Sequence, residues 1–270
     1  MDPIVKDFES DLEKILDQLT FIDALRKFSS VASEIHNSES SPAFLAEAKI
    51  IHDETKKTHA NLPLVSGTLI LYTCGRFEAM TRTLFEDLCQ RLVSRAEKFS
   101  HLPKKMRENL PIFTAKIISD PRKYGHAENG VRAFVTTLAS NLSLEAEVIK
   151  VNHECLSITD SNMRAEVLSD LFGRVGVNSI WTSISQQASL KVFFQDSDSQ
   201  KVETKAKRKL NDLMDLRNKI AHPSGELDWP SNETLREHVN FLRLLAKSMS
   251  ELVSMFEVTL CTNEKQEPQL

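Results

Sequence analysis

The last long stretch of the chain repeats apolar residues at intervals of three and four, the spacing that keeps one face of an α-helix buried. This pattern predicts a long helix that starts near Ser231 or Asn232, and its apolar face forms either core or a dimer interface. Only seven glycines occur in 270 residues, so few positions favour turns over helix. The repeating residues are Leu235, Val239, Leu242, Leu245, Met249, Leu252, Phe256 and Leu260.

Helical spacing recurs along most of the sequence, which predicts an all-α fold: a helical bundle with an N-terminal helical extension. We divide the chain into that extension (1–60), a helical domain (61–260) and a loose polar tail (261–270). Asp160–Asn162 are expected to cap the helix that begins at Met163. His153 and Cys155 are expected to be an exposed pair without partners. The predicted helices cover 4–36, with a break near Thr20, then 43–60, 64–98, 131–150, 163–172 and 201–222. Short helices are predicted around 104–119, within a connection punctuated by prolines and glycines.

Charge and cysteine usage exclude several classes of protein. A net charge of −4 argues against a surface coated with nucleic-acid-binding charge, although it permits a local basic site. The four cysteines lie far apart without a CxxC pair, which favours a reduced, cytoplasmic protein. No apolar run approaches the ~20 residues that span a bilayer, so no membrane association is expected. We predict no cofactor and no metal site, since His52 and His59 without a nearby cysteine make a poor zinc site.

Reactive side chains are concentrated in Asp215–Pro223. A guanidinium (Arg217), an amide (Asn218) and an imidazole (His222) lie within six residues, and Pro223 stops the helix that carries them. In an ideal helix Arg217 and His222 stand ~140° apart around the axis and ~7.5 Å apart along it. They share a face only if the last turn distorts or a second copy of the helix faces the first.

These residue types suit RNA cleavage. Arg217 can hold a phosphate and stabilise charge that develops on it. His222 can move a proton at a ribose 2′-hydroxyl or at a leaving oxygen. Alternatively, Arg217 forms a surface ion pair with Asp212 or Asp215, and His222 only caps the helix.

Several cations near this stretch are candidates for contact with an RNA backbone. Lys219 lies inside it, and Arg76 is a weaker candidate on an earlier helix. A basic run precedes Arg217 on the same helix and either steers phosphate toward it or forms a charged outer face. This run comprises Lys201, Lys205, Lys207, Arg208 and Lys209.

Three segments resemble the HEPN superfamily of all-helical proteins. Arg217–His222 is similar to its R-x4-H signature, with Asn218 after the arginine and a small residue before the histidine. Leu69–Met80 looks like the early HEPN helix with its aromatic-then-acidic step, here Phe77-Glu78. Ser161–Leu168, followed by Phe172-Gly173 and Gly176, resembles the middle of the RiboL-PSP type of HEPN domain. The resemblance covers about residues 60–260.

The resemblance implies a metal-independent endoribonuclease, a toxin or antiviral defence effector that cleaves RNA at a composite site of a homodimer. Arg217 would stabilise the transition state, His222 would transfer protons, and Asn218 would position both. The resemblance also implies that Glu78 orients Arg217 or His222; alternatively, Glu78 only pairs with Arg82 one turn along its helix. An antitoxin or another defence-system protein is the implied partner. Inactive HEPN domains exist, so a non-catalytic module that binds a nucleotide or a partner protein is the alternative function.

Overall fold

A computed structural model of the chain describes residues 2–30, 42–125, 128–142, 147–148, 150–223 and 229–263. These residues form helices and contain no β-strand, which confirms the all-α prediction. The α-helices are α1 (Pro3–Ser30), α2 (Pro42–Thr58), α3 (Leu62–Arg95), α4 (Lys104–Ser119), α5 (Glu128–Asn141), α6 (His153–Leu156), α7 (Ala165–Gly173), α8 (Ile180–Ser185), α9 (Ala188–Phe194), α10 (Ser199–Ala221) and α11 (Asn232–Asn263).

The core is built around α3, which packs against α1, α10 and α11. Phe8 of α1 and Phe77 of α3 are fully buried and lie with their ring centroids 6.2 Å apart. The apolar stripe of α11 is buried from Leu235 to Phe256 in the same core. The apolar side of α1 therefore joins the main core, although it lies in the segment predicted as an extension. No helix in the described ranges has the length and apolar character of a bilayer span.

Capping residues define the helix that carries Arg217. The Asp198 side chain accepts hydrogen bonds from the backbone N–H groups of Gln200 and Lys201, at 2.9 and 3.4 Å, and so starts α10. The helix ends at Ala221, and His222 leaves it with φ −132° and ψ 67°. The prediction of 201–222 for this helix agrees with the structure within two residues at each end.

Two predicted helix limits are wrong. The expected break near Thr20 does not occur, because the apolar face of α1 stays buried on both sides of it, at Leu19 and Ile22. Within this continuous helix, Thr20 Oγ1 donates to the Leu16 carbonyl at 2.9 Å. The helix predicted for 131–150 ends at Asn141. Beyond it, the Val148 N–H donates to the carbonyl of Glu97, two residues past the end of α3, at 3.2 Å, so this segment does not continue its own helix.

Two local interpretations around α6 and α7 are also wrong. Asp160 does not cap α7, which begins at Ala165; its carboxylate instead accepts from Tyr124 at 3.2 Å and pairs with Lys116 at 2.5 Å. Cys155 is fully buried rather than exposed. His153 has a partner, since its Nε2 lies 2.8 Å from the Gln90 side-chain nitrogen.

Candidate functional site

The Arg217–His222 motif lies at the C-terminal end of α10. Arg217 and Asn218 are half-buried, whereas His222 is exposed. The His222 backbone N–H donates to the Asn218 carbonyl at 2.9 Å, so the histidine is tied to the last turn of the helix. No hydrogen bond of the His222 side chain occurs within the described part of the chain. Its imidazole is therefore accessible at the end of a rigid element.

Asn218 is the centre of the motif's hydrogen bonding. Its Oδ1 accepts from Arg217 Nη1 at 3.1 Å and from Asn162 Nδ2 at 2.6 Å. Asn162 lies on the segment between α6 and α7. In the sequence, Asn162 stands out only as part of a capping triplet and of a family resemblance. Its contact with Asn218 could not be predicted, because a hydrogen bond between two amides far apart in sequence leaves no periodic signal.

The motif packs next to the middle of α3. The buried thiol of Cys74 senses both Arg217 and Glu78: burial raises the pKa of Cys74 to about 12, the Arg217 charge opposes that rise, and the Glu78 charge adds to it. The charges of Arg217 on α10 and of Glu78 on α3 thus both act on this thiol, as expected for two helices that pack against each other.

Glu78 itself bonds to other groups. Its Oε1 pairs with Arg82 at 2.5 Å and accepts from Thr159 Oγ1 at 3.3 Å. No hydrogen bond joins Glu78 to Arg217 or His222 among the residues that the structure describes. Of the two alternatives for Glu78, the contact present is the intrahelical pair with Arg82.

The structure does not bring Arg76 to the motif. Arg76 lies about 160° around α3 from Cys74 and Glu78. It pairs with Asp7 at 2.8 Å and with the buried Asp11, both on α1. It also lines a cavity of about 330 Å³ between α1 and α3 whose lining contains no motif residue. This guanidinium holds α1 against α3.

The two lysine candidates differ in their surroundings. Lys219 lies within the motif and is exposed. Lys209 is mostly buried, pairs with Glu237 of α11 at 2.5 Å, and lies 5.7 Å from the centroid of the Phe193 ring. Lys209 thus joins α10 to α9 and α11, and Lys219 is the lysine that faces solvent at the motif.

Carboxylates offset the basic run that precedes the motif. Each of its five cations has a carboxylate oxygen within 4.0 Å, which weakens its attraction for a distant phosphate backbone. The nearest partners are Asp198 for Lys201, Asp196 for Lys205, Glu203 for Lys207, Asp212 for Arg208 and Glu237 for Lys209.

The arrangement combines an anion-binding group with a group that can exchange protons. Arg217 supplies guanidinium donors, Asn218 supplies an amide, and the accessible imidazole of His222 lies one turn further along. Asp215, which the sequence offered as a partner of Arg217, pairs instead with Arg164. Within the described residues, no three histidine, cysteine, aspartate or glutamate side chains cluster as a metal site requires.

Comparison with known proteins gives one result. The profile of the family described as RiboL-PSP-HEPN matches residues 10–255, which include α3, the 157–164 region and the whole motif. The match also starts inside the segment predicted as an N-terminal extension. Neither the curated proteins nor the solved structures compared with the chain gave a match.

Proposed function

The chain belongs to the RiboL-PSP-HEPN family, and we propose that it is an endoribonuclease that cleaves RNA at the Arg217–His222 motif. HEPN domains are often ribonucleases, but membership alone does not establish activity. The observation that carries the proposal is the geometry at the end of α10. There a hydrogen bond joins Arg217 to Asn218, and the His222 imidazole is exposed beside them.

The chemistry requires two proton transfers at one phosphodiester. A base removes the proton from the ribose 2′-hydroxyl, and the O2′ atom bonds to the adjacent phosphorus. The bond from phosphorus to O5′ then breaks, and an acid protonates the leaving oxygen. The products are a 2′,3′-cyclic phosphate and a 5′-hydroxyl. Donors from Arg217 and Asn218 stabilise the negative charge of the five-coordinate phosphorus.

One motif supplies one imidazole, while the reaction uses a base and an acid. A second copy of the chain, with its motif facing the first, supplies the other imidazole and a second guanidinium. We therefore propose that the active form is a homodimer with a shared site. A dimer also removes the difficulty that Arg217 and His222 point in different directions around the helix axis. The two side chains of one chain then need not contact the same atom of the substrate.

RNA cleavage by purified protein in EDTA tests the proposal. We expect the wild type to release fragments with 2′,3′-cyclic phosphate and 5′-hydroxyl ends. The Arg217→Ala and His222→Ala variants should lose at least about 100-fold in rate, since each removes a group that acts in the transition state. Their thermal stability should stay near that of the wild type. Full cleavage by either variant would remove the motif from the mechanism.

Matched controls come from residues of the same type outside the motif. Arg132, exposed on α5, and His101, exposed in the short turn after α3, can each be changed to alanine. Both controls should cleave at the wild-type rate. A comparable loss in the controls would indicate a general effect of removing surface charge.

The orientation of Glu78 supports a second candidate function. Its carboxylate bonds to Arg82 and Thr159, so it does not orient the His222 imidazole as an activating partner would. A non-catalytic module that binds a nucleotide or a partner protein fits this feature. Such a module would bind RNA or nucleotide without producing fragments, and the cleavage assay separates the two functions.

We further propose a role as a toxin or antiviral defence effector held in check by a partner protein. Growth arrest of a bacterial host that expresses the wild type, but not His222→Ala, is the expected result. Equal growth of the two strains would count against this role.

A further inference from the structure

The segment between α6 and α7, residues 157–164, is held at both ends. At its start, the buried Arg174 guanidinium donates to the carbonyls of Leu156 and Ile158, at 2.5 and 2.7 Å. At its end, Met163 is fully buried in the core. A backbone segment fixed at both ends in this way presents its remaining side chains in a defined direction.

Side chains of the 157–164 segment also bond to α3 and to α10, the helix that carries the motif. Thr159 accepts from Arg82 of α3 at 2.5 Å, and Arg164 pairs with Asp215 of α10. Between them, the Arg164 N–H donates to the Asn162 carbonyl at 2.7 Å and closes a tight turn. The turn places the Asn162 side chain against the last turns of α10.

Hydrogen bonds from Arg217 and Asn162 together determine which way the Asn218 amide points. Two donors, Arg217 Nη1 and Asn162 Nδ2, lie at 3.1 and 2.6 Å from Asn218 Oδ1. If the Asn218 amide were reversed, its N–H groups would face the Arg217 guanidinium, which has donors only and could not accept a hydrogen bond. The oxygen therefore faces these donors, and the two N–H bonds of Asn218 Nδ2 face away from them.

We infer that Asn162 is a positioning residue of the proposed ribonuclease site. It holds the Asn218 amide with Nδ2 directed toward a substrate phosphate oxygen, and through Asn218 it limits the rotation of Arg217. The inference rests on the proposed function and extends it to a residue outside the R-x4-H motif. Asn162 acts through Asn218 and does not touch substrate.

A double-mutant cycle tests this dependence. Asn162→Ala and Asn218→Ala should each lower kcat/KM for RNA by roughly 10- to 100-fold, because misplacement of a phosphate-binding group by a fraction of an ångström is costly. If Asn162 acts only through Asn218, the double variant should match Asn218→Ala. Independent, multiplying losses would overturn the inference, as would wild-type activity of Asn162→Ala.

An isosteric change separates hydrogen bonding from packing. Asn162→Asp keeps the side-chain shape but replaces the donor with an acceptor, which favours the reversed amide and attracts Arg217. It should lose more activity than Asn162→Ala. The control is Asn211→Ala. Asn211 lies on α10, as Asn218 does, and its Oδ1 accepts from the Ala165 N–H at 2.9 Å. This control should lose stability and keep the wild-type kcat/KM.

A spectroscopic measurement keeps the inference testable without activity. In protein labelled with ¹⁵N-asparagine, the signals that vanish in Asn218→Ala identify the Asn218 side-chain amide. These signals should shift in Asn162→Ala and stay in place in Asn211→Ala. Unchanged signals in Asn162→Ala would reject the positioning role. If the wild type does not cleave RNA but the signals shift as expected, the proposed function fails and the Asn162–Asn218 contact stands.

Discussion

At the scale of single residues, His238 of α11 is a buried histidine outside the motif. Burial, and after it the charge of Lys209, lowers the pKa of His238 from 6.5 to about 4, while Glu237 and Asp212 oppose the shift. Its Nδ1 has no hydrogen-bond partner within the described residues. The folded protein therefore keeps this imidazole neutral at pH values where the unfolded chain protonates it.

This difference predicts a specific acid sensitivity. In the unfolded chain His238 binds a proton below a pKa of 6.5, whereas in the folded protein it does so only near pH 4. The contribution of neutral His238 to the free energy of unfolding is therefore complete above pH 6.5 and is lost as the pH falls to about 4. The total loss is roughly 3 kcal/mol, at 1.36 kcal/mol for each pKa unit. Chemical unfolding across this range should show a shallower pH dependence for His238→Leu than for the wild type. Identical curves would contradict a neutral, buried His238.

Lys219 offers a second test at this scale. This exposed lysine lies within the motif, where its ammonium can release a counterion from an RNA backbone. Lys219→Ala should weaken RNA binding at all sequences and reduce the slope of log Kd against log salt by about one. Its melting temperature should not change. Lys49→Ala, an exposed lysine on α2, is the control, and an equal change in that variant would indicate a non-specific charge effect.

At the scale of structural elements, the connection that follows the motif is anchored on α3. The Trp229 ring packs so closely on Gly67 that a Cβ added there would lie 2.2 Å from Trp229 Cζ3. Nearby, Ser66 Oγ donates to the side chain of the buried Asn232 at 2.6 Å. These contacts fix where α11 begins relative to α3.

The glycines of α3 provide a matched pair of variants. Gly67→Ala should cost about 1–3 kcal/mol, because the Trp229 ring must move to accept the methyl group. Gly75→Ala, which has no atom within 4 Å of the added Cβ, should be neutral or stabilise by about 0.5–1 kcal/mol. Thermal unfolding of the two variants gives the comparison. A neutral Gly67→Ala would show that Trp229 is not packed as described.

The helices illustrate what local pattern can predict. Apolar periodicity and proline punctuation predicted α10 to within two residues at each end, because this helix has a clear apolar face and defined ends. Around 104–119 they predicted short helices, whereas α4 is one helix that continues through Pro111. The interpretation failed at Thr20, where the buried apolar face of α1 continues without a break, and after Asn141, where the chain bonds to Glu97 just beyond α3. In the second case the deciding partner lies far away in sequence.

The candidate site shows the same limit. Arg217, Asn218 and His222 could be selected from sequence because they are adjacent on one helix and carry recognisable chemistry. Asn162 could not, since its role depends on a contact across 56 positions. Arg76 and Lys209 are candidates for RNA contact because of their charge alone. Their ion pairs with α1 and α11 depend on how the helices pack, which the local sequence does not reveal.

At the scale of the whole molecule, the fold supplies a rigid base for a surface motif. The helices α1, α3 and α11 share one core, and α10 packs on α3 with its C-terminal end exposed. A surface motif with one imidazole is half of the proposed catalytic set. The proposed reaction therefore requires two copies of the chain to meet at the ends of their α10 helices.

Subunit mixing in EDTA tests this claim most directly. Wild type and His222→Ala are co-expressed with different tags in equal amounts, and RNA cleavage is measured at constant total protein. A site that needs both imidazoles is intact only in pure wild-type dimers, so activity should fall to about one quarter of the wild-type value. An activity of about one half, with mixed dimers confirmed by the two tags, would mean that each chain cleaves alone and would contradict the shared site.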